Sequence, residues 1–339
     1  MTAKTQMREV LRFGGRFRIL VAVSGVTLFL MIAYALGARD LSGVSAVAHL
    51  NQSSVRSGQN ANSSEPASEP AEHGLSARAV EIARPLGFPI TNSMLVSWIV
   101  ALGLIVFAQL ATRNMQPIPA GLQNFLEWLV EGLHTFMAEM LGKRLADRTF
   151  WFFGTIFLFI LSANWVGLIP GVGSIGWGSR TPHGFVVSQP LLRGANADVN
   201  MTLAMALIFF ASWVVWSLQE VGPRGFLKEL FAPKGESQGL LRILMVVVFF
   251  VAGCLEVISI LFRPISLSFR LYGNIFAGEN LLEAMSKLVP GFGWLVPIPF
   301  YFLELVMGFV QALVFTLLTA VFTMLMCQHE GDASAAAHG

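Results

Sequence analysis

Five long apolar stretches punctuate the chain, at about 94–112, 150–169, 200–218, 243–288 and 296–327. A helix needs about 20 mainly apolar residues to cross the roughly 30 Å hydrocarbon core of a bilayer, so each stretch predicts membrane-embedded helix. A shorter apolar run, 19–36, follows Lys4, Arg8, Arg12, Arg16 and Arg18 and ends at Ala35-Leu36-Gly37. A basic start, an apolar middle and a small-residue end make residues 1–38 a signal peptide or an uncleaved N-terminal anchor. Residues 39–92 follow, rich over most of their length in Ser, Asn, Ala, Glu and Pro. That composition cannot bury enough apolar surface to fold, and a disordered external linker is expected there. The membrane domain is then 93–328, with 329–339 as a cytoplasmic tail. The expected fold is an all-α polytopic membrane protein.

Two segments depart from simple spans. From 117 to 140, Leu122, Phe125, Leu126, Leu129, Leu133, Phe136 and Met140 recur at helical spacing, with Gln123, Glu127, Glu131 and His134 on the other side. This pattern predicts an amphipathic helix on the cytoplasmic surface or against a partner. The stretch 243–288 is too long for one upright span, because about 45 residues of helix reach about 65 Å. A hairpin at Arg263-Pro264 lacks the Gly, Asn or Asp chemistry of a turn. One long tilted helix, kinked at Pro264, is the expectation.

Charge orients the spans. Arg113, Lys143, Arg144, Arg148, Arg224, Lys228, Lys234 and Arg242 fall on one side, against Arg180, Arg193 and Lys287 on the other. The positive-inside rule makes the first set cytoplasmic, so the C-terminus is inside and residues 39–92 are outside. The overall composition of 55% hydrophobic and 12% charged residues suits a polytopic membrane protein. A net charge of +2 without a basic, aromatic-interleaved run excludes a nucleic-acid partner. Cys254 and Cys327 lie within apolar segments, and the six histidines have no metal-ligand spacing. Neither a metal nor a cofactor is implied. No Gly-rich phosphate loop appears either, so the chain carries no nucleotide chemistry of its own.

The informative residues are the charges inside the last two apolar stretches. Glu256, Arg270, Glu279 and Glu304 lie there with Asn274 and Gln311. A charge at the bilayer centre costs at least about 2.5–3.5 kcal/mol, so intramembrane charges mark ion paths, relays or partner charges. Arginine is the hardest to explain away, since it does not deprotonate. At 100° per residue Arg270 and Asn274 share a face, and Glu256 falls within about 40° of it, about 21 Å away along the axis. Glu279 falls near the opposite side. Glu304 and Gln311 lie two turns apart on one stripe of the last helix, where they can face Glu279. For Arg263 and Glu283, near segment ends, structural pairing or snorkelling is the expected role. The remaining set reads as two offset aqueous half-channels separated by a fixed cation.

The run Pro264-Ile265-Ser266-Leu267-Ser268-Phe269-Arg270-Leu271-Tyr272-Gly273-Asn274-Ile275-Phe276-Ala277-Gly278-Glu279 resembles the arginine block of subunit a of F-type ATP synthase. So do Asn164-Trp165-Val166-Gly167-Leu168-Ile169-Pro170, Ala197-Asp198-Val199-Asn200-Met201-Thr202-Leu203, Phe226-Leu227-Lys228-Glu229-Leu230 and Gln311-Ala312-Leu313-Val314-Phe315. The resemblance spans about 93–330. It implies a non-catalytic, ion-translocating stator subunit in a bacterial plasma (inner) membrane. Its partners would be the rotating c-ring, the peripheral-stalk subunit b, membrane lipid and, indirectly, the F1 sector. It implies that Arg270 faces the ring. Asn274, Glu279, Glu304 and Gln311 would line the external half-channel and Glu256 the cytoplasmic one. Many bacterial members carry histidine where Glu304 stands, and this departure leaves Na⁺ as the alternative to the proton. A self-contained secondary transporter is the rival class, and it would show internal repeats that this chain lacks.

Overall fold

The computed structural model describes residues 79–83, 90–181, 184–231, 240–288 and 293–336. Six helices follow two short strands, β1 (Glu81–Ala83) and β2 (Ile90–Thr91): α1 (Asn92–Thr112), α2 (Leu122–Leu141), α3 (Lys143–Gly167), α4 (Val199–Phe231), α5 (Leu240–Leu288) and α6 (Ile298–Ala336). Between α3 and α4 lie an antiparallel hairpin, β3 (Gly176–Thr181) with β4 (Gly184–Pro190), and a 3-10 turn at Ala195–Ala197. Among the described residues, five helices are long and apolar enough to cross a membrane, and α2 is the exception. The chain is a multi-pass, mainly helical membrane protein.

Residues 1–38 and most of 39–92 lie outside the described residues. The end of the expected linker is ordered, however. Ala79 is buried, β1 pairs with β2, and the Asn92 N–H bonds the Val80 carbonyl. Backbone pairing to the start of α1 holds this segment despite its neighbours' composition. Thr91 then caps α1, its hydroxyl accepting from the Met94 N–H.

α2 confirms the amphipathic helix. Gly142, at φ +79°, joins it to α3 as a one-residue corner, a left-handed position suited to glycine. α4 is two helices in sequence, broken where Gly222 adopts φ +72° just before Pro223. Proline fits the first turn of the second piece, where its missing N–H costs nothing. Around Pro264 the outcome differs. α5 runs from Leu240 through Pro264 to Leu288 as one helix, as expected, and no hairpin forms. At 1.5 Å per residue its 49 residues span about 73 Å, far more than a bilayer's hydrocarbon core.

Lipid is as apolar as leucine, so helices associate in it through close packing and polar contacts rather than through a hydrophobic drive. The interior fits that rule. α3 lies centrally against α1, α2 and α6, with Phe152, Phe153, Ile160 and Ala163 fully covered. Ala195, Ala197, Ala204, Ala206, Ala312 and Ala320 allow close approach of backbones. Trp216 of α4 meets Phe152 edge-on at 5.1 Å. α5 differs from the rest: only 11% of its most apolar window is buried within the chain, against 50% for α4 and 56% for α3. Val247, Phe250, Leu255, Phe262 and Phe269 all stand outward. A helix this uncovered presents one whole side to lipid or to a partner.

Candidate functional site

The inner face of α5 is set by Ile260, Pro264, Leu267, Ser268, Leu271, Ile275 and Gly278, spaced three or four apart and all buried. The Ser268 hydroxyl pins this face to α4 through Thr202 at 2.9 Å. That registration turns Arg270 outward. Arg270 is exposed, and among the described residues no hydrogen bond or ion pair engages it. Asn274, one turn on, donates to the Gln311 side-chain oxygen of α6 at 2.7 Å. The free cation therefore sits on the outer side of α5, beside an amide pair that ties α5 to α6.

Glu279 points the other way, as its nine-residue offset requires. It does not meet Glu304 directly. Its partner is Arg193, whose Nε lies 3.6 Å from the carboxylate. Both are largely buried, with side chains 7% and 13% exposed. The Gly194 N–H also bonds the Glu279 carboxylate, and the Arg193 guanidinium lies 5.6 Å from the Phe276 ring centre. Gly194 has to be small, because a Cβ there would overlap the carboxylate. Glu304 sits on the next residue along: a Cβ at Gly278 would occupy the place of its carboxyl group. Glu304 of α6 thus rests on α5 at Gly278, next in the chain to Glu279, while Glu279 itself meets Arg193 and Gly194.

An amide chain fixes the last helix in this register. Asn164 of α3 donates to the Gly308 carbonyl at 2.8 Å, and Asn196 donates to the Asn164 side-chain oxygen at 2.6 Å. Gly308 lies between Glu304 and Gln311, so α3 sets the height of both. On the far side of Arg270, Glu256 is exposed and accepts from Arg263 at 2.9 Å. Glu283 pairs with Lys287 one turn on. Pairing, expected for Arg263 and Glu283, accounts for both.

Of the six residues singled out in the sequence, Asn274 with Gln311, and Glu304 against Gly278, lie on the α5–α6 seam, whereas Glu279 meets Arg193 and Gly194 in the loop before α4. Arg270 stands alone on the outer face. Glu256 lies apart along the same helix. Sequence reasoning misses Arg193, which falls among the external loop charges because it lies between the apolar runs 150–169 and 200–218. The available signal was its setting: Leu191-Leu192-Arg193-Gly194-Ala195-Asn196-Ala197-Asp198 is a run of apolar, small and amide residues leading straight into α4. A loop of that composition packs inward. Asp198 is likewise buried, accepting from Ser93 at 2.6 Å and from the Asn200 N–H at 3.0 Å.

Comparison with known proteins matches the sequence to a family. The family described as ATP synthase A chain matches residues 94–324. ATP synthase subunit a of Gloeobacter violaceus is 34% identical over 250 residues, covering 72% of this chain and 89% of the relative. That of Citrifermentans bemidjiense is 30% identical over 251 residues, covering 74% and 94%. The sodium-ion-specific subunit a of Propionigenium modestum is 32% identical over 246 residues, covering 72% and 77%. The matched segment covers nearly the whole of each span and all six polar residues singled out in the sequence, and the chain belongs to the subunit a family of ATP synthase, the ion-translocating stator component of its membrane sector.

Proposed function

We propose that this chain moves protons between two offset half-channels at the face of a c-ring, in a bacterial inner membrane, with Arg270 as the separating charge. The observation that carries the reading is the setting of Arg270: an exposed guanidinium on the outer face of a long, uncovered helix, without an ionic partner among the described residues. A purely structural arginine in a membrane would be expected to hold a counter-ion. A carboxylate on a passing rotor supplies one. At about 4 Å opposite charges attract by roughly 4 kcal/mol at an effective dielectric of 20, enough to hold that carboxylate ionised. It releases its proton to one half-channel and takes another only after leaving the cation. Each charge crossing 100 mV releases about 2.3 kcal/mol, which rotation passes on.

Glu279, Glu304, Asn274 and Gln311 form the external path in this reading, and Glu256 the cytoplasmic one. Arg193 is the counter-charge beside Glu279, and Glu304, without an ionic partner among the described residues, is a further group able to exchange protons. Residues 39–92 are external, the C-terminus is cytoplasmic, and subunit b of the peripheral stalk anchors the assembly. Na⁺ is the second reading, favoured by the sodium-specific relative of Propionigenium modestum. ATP synthesis by the whole complex, reconstituted in vesicles under an imposed pH gradient, separates the two. Synthesis undiminished when Na⁺ is removed is the expected result. Synthesis that stops without Na⁺ and returns with it overturns the proton assignment.

A further inference from the structure

Glu256, Arg263 and Arg270 stand seven residues apart on α5. Each step is two turns, about 10.5 Å of rise with about 20° of drift, so the three form one stripe. The two cations on that stripe are held very differently. Arg270 is exposed and unpaired among the described residues. Arg263 reaches back two turns to Glu256 at 2.9 Å, and its guanidinium lies 4.4 Å from the centre of the Phe322 ring of α6 and 5.9 Å from that of Trp213 of α4. Trp213 is itself tied to α6, its indole N–H donating to the Phe322 carbonyl at 3.3 Å. The described side chains facing Arg263 from α4 and α6 are thus rings, which attract a cation without competing for it as a carboxylate would.

We propose that Arg263 is a positioning residue for Glu256: anchored on Phe322 and Trp213, it fixes that carboxylate at the cytoplasmic entrance. Arg270 lies about 21 Å along the axis from Glu256, beyond side-chain reach, so of the two arginines on this stripe only Arg263 can hold the carboxylate. The ring platform holds Arg263 itself in place. Arginine suits the role, because its planar head stacks on rings while its N–H fork bonds a carboxylate. The inference rests on the reading of Glu256 as part of the cytoplasmic path.

ATP-driven ion pumping in inverted vesicles holding the whole complex provides the test, with four variants: Glu256→Gln, Arg263→Gln, the double variant and Arg263→Lys. Positioning predicts that Arg263→Gln slows pumping at least about fivefold, yet adds less than about twofold once Glu256 is already Gln, the non-additivity expected of contacting groups. Arg263→Lys, which keeps a cation against Phe322, should restore at least about half of the rate. Phe322→Leu leaves the charge in place and should slow pumping only when Glu256 is present, which keeps the test open if Arg263→Gln fails to assemble. Equal slowing by Arg263→Gln with and without Glu256 would make Arg263 a packing residue and overturn the proposal. If Glu256→Gln slows pumping while neither Arg263→Gln nor Phe322→Leu does, the proposal also fails but the half-channel reading survives. A Glu256→Gln variant that pumps at the wild-type rate removes Glu256 from the path, and the proposal falls with it.

Discussion

Two arginines of this membrane domain have opposite settings, and the difference decides their roles. Arg193 is buried against Glu279, while Arg270 is exposed and unpaired among the described residues. Removing one partner of a buried ion pair costs about 3–5 kcal/mol, because the other charge is left without compensation. Arg193→Gln should therefore lower the yield of assembled, detergent-solubilised complex and nearly abolish ion flux. Adding Glu279→Gln should recover the yield, since no bare carboxylate then remains buried, but not the flux. A single variant with wild-type yield and flux would show that the pair is dispensable. The sequence disclosed Arg270 because it interrupts an apolar run at a position where any neutral residue is cheaper. It did not disclose Arg193, which lies in a loop before α4, where a charge costs nothing until the loop folds inward. Charge inside a span is visible in a sequence; charge drawn into a protein interior by a loop is visible only through its small and amide neighbours.

At the scale of elements, the site depends on how closely α5 and α6 approach. Gly278 is where the two meet, since the Glu304 carboxyl group of α6 fills the space a Cβ would take. The overlap is with the end of a flexible side chain, so Gly278→Ala should leave the helices packed and displace Glu304 instead. A displacement of about 1 Å in a reacting group costs up to about a hundredfold in rate. Flux in vesicles should fall at least about tenfold while assembly is retained, and Glu304→Asp in the same chain, one methylene shorter, should recover part of it. Unchanged flux in Gly278→Ala would place Glu304 outside the path. Element positions were legible throughout: five apolar runs gave five spanning helices, and the period of Leu122, Phe125, Leu129 and Phe136 gave α2. Two joints were not. The break at Gly222-Pro223 and the β3–β4 hairpin lie in segments whose patterning is short and mixed, where backbone conformation is settled by neighbours.

For the whole molecule, the unpaired face of α5 links the fold to the proposed work. A helix with 11% of its apolar window covered is not held by its own chain alone, and Arg270 lies on the side left open. The helical periodicity already placed Arg270 and Glu279 on opposite sides, because their nine-residue spacing turns through half a revolution. Which helix each side met was beyond reach, since lateral order among apolar helices leaves little trace in one sequence. The consequence is a division of labour: one side of α5 turns Glu279 inward to Arg193, and the opposite side offers Arg270 outward, beside the Asn274–Gln311 tie to α6. The most direct test is Arg270→Ala in the whole complex, purified with all subunits present and reconstituted in vesicles with an imposed ion gradient. The expected result is an assembled complex whose F1 sector still hydrolyses ATP but which synthesises none and pumps no ions. Synthesis near the wild-type rate in the assembled Ala variant would contradict the account.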